Sequence, residues 1–235
     1  MKSLADCRLY AFVDSAYLHE RSPVELAKAL CAGGADLVQY RAKGSSADEV
    51  RRVAEDLLPV TSTAGVHLVI NDHWPVACGL GASVCHLGQE DFFDAGLNHK
   101  DELPGVGGAP ISSSACEEKR IRSAGLETGA PLLGLSSHAP GQATQAIAAG
   151  ADYIAIGPVF PTGTKPGRPA VTLDYVKWAA ANVSIPWFAI GGITLDNLDA
   201  VLAAGATRIC VVSAVLNQPD VAWACAEFRH RLPAR

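Results

Sequence analysis

Short apolar runs, each closed by glycine or a polar cluster, recur from end to end of this chain. Runs too short for a buried helix and bounded by glycine read as strands covered on both faces. Eight are found, near Leu9–Val13, Leu37–Arg41, His67–Asn71, Val84–Leu87, Leu132–Ser136, Tyr153–Gly157, Trp187–Gly191 and Ile209–Ser213. Between them lie segments with helical periodicity: Pro23–Cys31, Ala47–Leu58, Gly141–Ala149, Leu173–Ala181 and Leu195–Ala204. Ser22 before Pro23, and Thr194, stand where a helix N-cap is wanted. A weak repeat joins the two kinds of element. A helix end is followed by Gly-Ala and then an apolar strand, at Gly34-Ala35, Gly81-Ala82, Gly150-Ala151 and Gly205-Ala206. Glycine just past a helix ends it and turns the chain into the next strand.

Repeated helix–glycine–strand units predict parallel β/α architecture. Eight alternations without a polar or low-complexity linker predict one domain, a single-domain (β/α)8 TIM barrel over residues 1–235. A doubly wound sheet is the alternative. One stretch exceeds a minimal barrel: Ser136 lies 45 positions beyond Asp91, and the segment contains the glycine-rich Leu103–Pro110. A loop insertion within 92–131 is expected there.

Composition narrows the function. A net charge of −5 leaves no basic surface for nucleic acid, so cations that matter are local ones. The seven cysteines form no C-x-x-C pair, and several sit in apolar runs, as Cys31, Cys85 and Cys210 do. Buried thiols in a reducing cytoplasm fit this better than a disulfide framework or a zinc site. No apolar run reaches the ~18 residues of a membrane span, and the first residues carry no signal-peptide pattern. The expectation is a cytoplasmic protein acting on small molecules, with no nucleic-acid or membrane partner. A homo-oligomer is as compatible with the sequence as a monomer.

In a β/α barrel the active site is built at the C-terminal ends of the strands. Strand two ends in Gln39-Tyr40-Arg41-Ala42-Lys43, and alternation puts Gln39, Arg41 and Lys43 on one side. Two cations at one strand end suit a multiply charged anion such as a diphosphate; a solvated loop is the bland alternative. Strand three ends in Asn71-Asp72, and strand four leads into Gln89-Glu90-Asp91. Carboxylates beside a diphosphate site make electrostatic sense with a bridging cation, and Mg²⁺ is typically held by one or two carboxylates plus phosphate oxygens. The competing role for Asp72 is capping the next helix.

Three further loops are competent for phosphate. Thr162-Gly163-Thr164-Lys165 after strand six offers hydroxyls, backbone donors and a charge, although its spacing is not that of a Walker A loop. The tandem Gly191-Gly192 lets backbone amides approach an anion. Val212-Ser213 ends strand eight. Each alone reads equally as a structural turn, but all three fall on one rim. Ser136, Ser137 and His138 follow strand five without a G-x-S-x-G elbow, which argues against a hydrolase. His67 and His86 lie in apolar strands and read as core or supporting residues.

Taken in order, Gln39–Lys43, Ile70–Asp72, His86–Asp91, Gly134–His138, Ile156–Lys165, Ala189–Ile193 and Val211–Ala214 resemble the thiamine phosphate synthase family over nearly the whole chain. The resemblance implies a barrel enzyme that joins hydroxymethylpyrimidine diphosphate to a thiazole phosphate, with Mg²⁺, releasing diphosphate. It implies that Gln39, Arg41, Lys43, Asn71 and Lys165 hold the pyrimidine diphosphate, that Asp72 and Asp91 ligate Mg²⁺, and that Ser136 touches the pyrimidine. Thr162, Thr164, Gly192, Val212 and Ser213 would hold the thiazole phosphate. Arg41, Lys43, Lys165 and Ser136 are the catalytic expectation. The chain departs from the family pattern at Tyr40, Ala42 and Ser83–Cys85, in the long Asp91–Ser136 segment, and at Thr172, where a glycine is common. Related barrels, a thiazole tautomerase or a non-catalytic thiazole-phosphate binder, are the competing functions; an isomerase would want His138 as a base.

Overall fold

The computed structural model describes residues 1–106, 129–162 and 170–233. Eight parallel strands close on themselves in chain order, each hydrogen-bonded to the next and the last to the first. They are β1 (Leu9–Asp14), β2 (Leu37–Arg41), β3 (His67–Asn71), β4 (Val84–Leu87), β5 (Leu132–Ser137), β6 (Tyr153–Ile156), β7 (Trp187–Ile190) and β8 (Ile209–Val211). The ring shuts where Leu9, Tyr10 and Ala11 pair with Ile209, Cys210 and Val211. The helices that clothe it are α1 (Pro23–Ala32), α2 (Ala47–Thr63), α3 (Trp74–Leu80), α4 (Gln89–Asp94), α5 (Pro140–Ala148), α6 (Thr172–Asn182), α7 (Leu198–Ala203), α8 (Ser213–Leu216) and α9 (Val221–Arg231).

Local chemistry starts the first helices cleanly. Ser22 and Glu25 form a reciprocal capping box with Pro23 in the first turn, and Ser46 and Glu49 repeat the box at α2. Two expectations need correction. Thr194 does not cap a helix: its amide donates to the Asn197 side chain, and α7 begins three residues later than the sequence suggests. The helix expected over Ala47–Leu58 is longer: α2 runs on through Pro59 to Thr63, with the Thr61 hydroxyl donating to the Leu57 and Leu58 carbonyls and its side chain buried.

The Gly-Ala repeat has a physical reason beyond the turn. Gly34, Gly150 and Gly205 all have positive φ, which returns the chain toward the sheet. In two copies an aspartate follows and ties the strand ahead of it. Asp152 accepts from the Leu133 amide and from Lys100. Asp36, its side chain 1% exposed, accepts from the Arg8 and Leu9 amides and from both Lys2 and Arg229. These knots hold the N-terminal face of the barrel, the face that carries stability rather than chemistry.

Candidate active site

A cavity of about 340 Å³ opens at the opposite face, among the strand ends and the loops that follow them. Alternation along β2 sends Gln39 and Arg41 into it, as the sequence predicts. Arg41 does not arrive as a free cation. The Asp14 carboxylate, at the end of β1 and directly across from Arg41 in register, accepts from its guanidinium at 2.7 Å. The other Asp14 oxygen accepts from the Ala16 amide, so the carboxylate is anchored before it orients the arginine. Lys43, two residues beyond the strand, lies outside the cavity lining and is 2.7 Å from Asp72, with its side chain 57% exposed.

Asn71 reaches the cavity from β3. Asp72 follows it in a left-handed conformation, φ 64°, which a short polar side chain tolerates. The rival role for Asp72 fails, because α3 has no side-chain cap. From β4 comes His86, whose Nε2 lies 3.0 Å from the Ser136 hydroxyl on β5. Its Nδ1 faces the Tyr153 phenol at 3.0 Å rather than a carboxylate. Among the described residues this Ser–His pair has a phenol at the position where a hydrolase triad has its carboxylate. The neighbouring Ser137 points the other way, buried against Tyr175. His138 lines the cavity with Nδ1 against the Gly157 carbonyl, so that nitrogen carries a hydrogen.

The far side of the cavity comes from β6 to β8. Thr162 lines it; Gly163, Thr164 and Lys165 lie outside the described residues. Gly191 and Gly192 have φ of 103° and 62°, and a Cβ on Gly192 would stand 2.6 Å from the Pro161 carbonyl oxygen. Only glycine fits that close approach. Asn197 holds the loop from below, donating to the Gly192 carbonyl at 2.8 Å. Val212 and Ser213 complete the wall. Phe12, Thr194, Asn217 and Gln218 also line the cavity and Asp14 orients Arg41; none of the five was singled out as a site residue, although Asp14, a strand-end carboxylate like Asp72, could have been.

The structure thus brings Gln39, Arg41, Asn71, Ser136, Thr162, Gly192, Val212 and Ser213 together around one cavity. Lys43, Asp72 and Asp91 stand beyond its lining. Asp91 is exposed in the first turn of α4, and Gly88 leaves room for its carboxylate, which stands 2.3 Å from where a Cβ on that glycine would be. Asp72 and Asp91 follow adjacent strands on the same face and offer only hard oxygen donors. That donor set fits Mg²⁺ completed by phosphate oxygens and water. Among the described residues there is no cluster of three or more His, Cys, Asp or Glu that would suit a metal held by protein alone. No helix of the described residues is long and apolar enough to cross a membrane.

Comparison with known proteins identifies the family and the fold. The family model for thiamine monophosphate synthase matches residues 9–99 and 118–215. A thiamine-phosphate synthase of Thermus thermophilus is 43% identical over 202 residues, covering 86% of this chain and 84% of that one. One from Acidothermus cellulolyticus is 40% identical, covering 99% and 98%. The solved thiamine phosphate pyrophosphorylase of Pyrococcus furiosus superposes with a TM-score of 0.73 at 26% identity, over 97% of this chain and 96% of that one. With a superposing barrel, a family model matching most of the chain and relatives this similar over most of their length, the chain belongs to the thiamine monophosphate synthase family.

Proposed function

We propose that this enzyme transfers the methylpyrimidine group of hydroxymethylpyrimidine diphosphate to the ring nitrogen of hydroxyethylthiazole phosphate, giving thiamine phosphate and diphosphate. The observation that carries the reading is the cavity's two-ended chemistry. One end has Arg41 and Asn71 with Lys43 beyond them; the other has the Gly191-Gly192 backbone and Ser213. Two anionic groups held at opposite ends of one enclosed space become an oriented pair rather than a chance encounter.

In this reading Arg41, Lys43 and Lys165 take up charge as the carbon–oxygen bond to diphosphate breaks. Asn71 donates its amide to the same group. Asp72 and Asp91 would hold Mg²⁺, which when bound neutralises further charge on diphosphate. Gln39 and Ser136 hold the aminopyrimidine, whose amino group feeds electrons toward the methylene carbon. Phe12, Ile190 and Val212 keep water from that carbon. Thr162, Thr164, Gly192, Val212 and Ser213 hold the thiazole phosphate so that the ring nitrogen lone pair meets the methylene. No proton is lost in forming the new carbon–nitrogen bond, so the site needs no general base. Nothing in this chemistry calls on His138, which a tautomerase would use.

The test mixes purified protein with both substrates and Mg²⁺, with an EDTA control, and reads thiamine phosphate by mass. Metal-dependent product is expected. Interconversion of carboxythiazole tautomers without coupling would overturn the reading and assign His138 as a base.

A further inference from the structure

A continuous chain of hydrogen bonds crosses the barrel beneath the cavity, and the mechanism above uses only its ends. The Gln39 carboxamide nitrogen donates to the Tyr10 hydroxyl. The Tyr10 and Tyr153 hydroxyls are 3.0 Å apart. Tyr153 is 3.0 Å from His86 Nδ1, and His86 Nε2 is 3.0 Å from the Ser136 hydroxyl. The five residues come from β1, β2, β4, β5 and β6, and none is more than 8% exposed. Gln39, His86 and Ser136 line the cavity; the two tyrosines do not.

With the Gln39 nitrogen facing Tyr10 and His86 neutral, counting hydrogens fixes the direction of every other link. Each hydroxyl has one hydrogen, and a neutral imidazole has one N–H. With the Gln39 nitrogen toward Tyr10, the Tyr10 hydrogen goes to Tyr153, and the Tyr153 hydrogen goes to His86 Nδ1. The imidazole proton therefore sits on Nε2 and is donated to the Ser136 oxygen. The Ser136 hydrogen is left for the cavity, and so is the Gln39 carboxamide oxygen. Turning one link alone strands a buried hydroxyl hydrogen, so the chain turns as a unit or not at all.

We propose that Tyr10 and Tyr153 are positioning residues that present Ser136 as a donor and Gln39 as an acceptor, selecting a ring with a nitrogen acceptor beside an exocyclic amino group. The same ring with an oxo group in place of the amino group shows a ring N–H and a carbonyl, and meets a donor with a donor and an acceptor with an acceptor. The identity of the ring rests on the function proposed above; the direction of the chain does not.

The surroundings hold the tyrosines in place. Phe188 packs edge-on against both, with centroids 5.4 and 5.6 Å away. A Cβ on Gly134 would stand 2.1 Å from the Tyr153 ring, so that strand position is kept clear for the phenol. Burial pushes both phenols well above their ordinary range, which keeps their hydrogens in the chain.

The test has two arms. In the first, ¹⁵N-histidine NMR of the ligand-free protein at neutral pH reads the His86 tautomer, assigned by loss of its signals in His86→Gln. The neutral form with hydrogen on Nε2 is expected, and Tyr153→Phe is expected to mix the tautomers. In the second, kcat/KM is measured for the aminopyrimidine diphosphate and its oxo analogue. A discrimination of at least ~100-fold is expected. It should fall ~10-fold or more in Tyr153→Phe and in Tyr10→Phe, with KM for thiazole phosphate unmoved. Hydrogen on His86 Nδ1, or parent-like discrimination in either folded variant, overturns the proposal. The expected tautomer in a protein without coupling activity would support the chain's direction and sink the ring assignment with the function.

Discussion

Asp14→Asn separates the placement of a charge from its presence. The Asp14 side chain is 1% exposed and that of Arg41 12%, and their contact is 2.7 Å. The carboxamide has the same shape and keeps an oxygen for the Ala16 amide, which the carboxylate now serves at 3.0 Å. Its nitrogen then faces the guanidinium, donor against donor. Orphaning one member of a buried pair costs ~3–5 kcal/mol, but Arg41 opens on the cavity, where water screens it, so ~2 kcal/mol is the reasonable figure. In a chain of this length that lowers the unfolding midpoint by ~4–8 °C. Arg41 keeps its charge but not its aim, so kcat/KM for the pyrimidine diphosphate should drop ~10–100-fold, while KM for thiazole phosphate stays. Thermal unfolding followed by circular dichroism and steady-state coupling rates measure the two effects. A variant with an unchanged midpoint and parent-like kcat/KM would show that the pair neither stabilises the barrel nor aims the arginine.

Asp36→Asn should cost ~3 kcal/mol at neutral pH, because two backbone amides and two cations lose a buried charge. Burial alone would raise the Asp36 carboxyl, but Lys2, the two amides and Arg229 outweigh it and hold it below its ordinary range. Its stabilisation is thus fully present above the unfolded pKa of ~3.9 and lost as pH falls through the lower folded value, so denaturant curves of parent and variant should converge in acid. Gly192→Ala should raise KM for thiazole phosphate ~10-fold or more and leave KM for the pyrimidine diphosphate alone, since the added carbon would meet the Pro161 carbonyl at 2.6 Å. Equal effects on both constants would place the glycine loop elsewhere in the reaction. Thr172→Gly should stabilise by up to ~1 kcal/mol, as Thr172 is a β-branched residue at φ 63°; a lower unfolding midpoint would show that the threonine's own contacts outweigh the strain.

The strands were legible almost to the residue because each is a buried apolar run with glycine or polar punctuation, and a barrel strand has no solvent face to blur it. Thr172 stood out in the sequence as a departure from the family pattern the chain resembles, and its backbone has the positive φ that glycine suits. Four helices were not foreseen. α3 and α4 are pieces of seven and six residues, under two turns each, attached directly to strand-end motifs and too short to show a period. The same holds for α8. The omission of α9 was avoidable, since Asp220 caps it and Val221, Ala224, Cys225 and Phe228 fall on one face. In the site, strand alternation placed Gln39 and Arg41 correctly. It could not reveal that Asp14 sits across from Arg41, because that contact depends on the register of two strands 27 residues apart. The tyrosine chain is further out of reach, linking positions 143 apart across the lumen.

The meeting of β1 with β8, and of Asp36 with Arg229, also sets a clock on biosynthesis. The aspartate and its arginine are 193 residues apart. At ~5–20 residues per second, a ribosome needs ~10–40 s to deliver the second after the first. Through that interval the growing chain carries an open sheet with two unpaired edges, the kind of surface that recruits other strands. The Ile209 amide, which bonds the Arg8 carbonyl at 2.9 Å, arrives only near the end. A truncated chain lacking β8 should therefore be prone to aggregate rather than merely inactive, and a nascent chain of this kind is a natural client for chaperones until its last strand emerges.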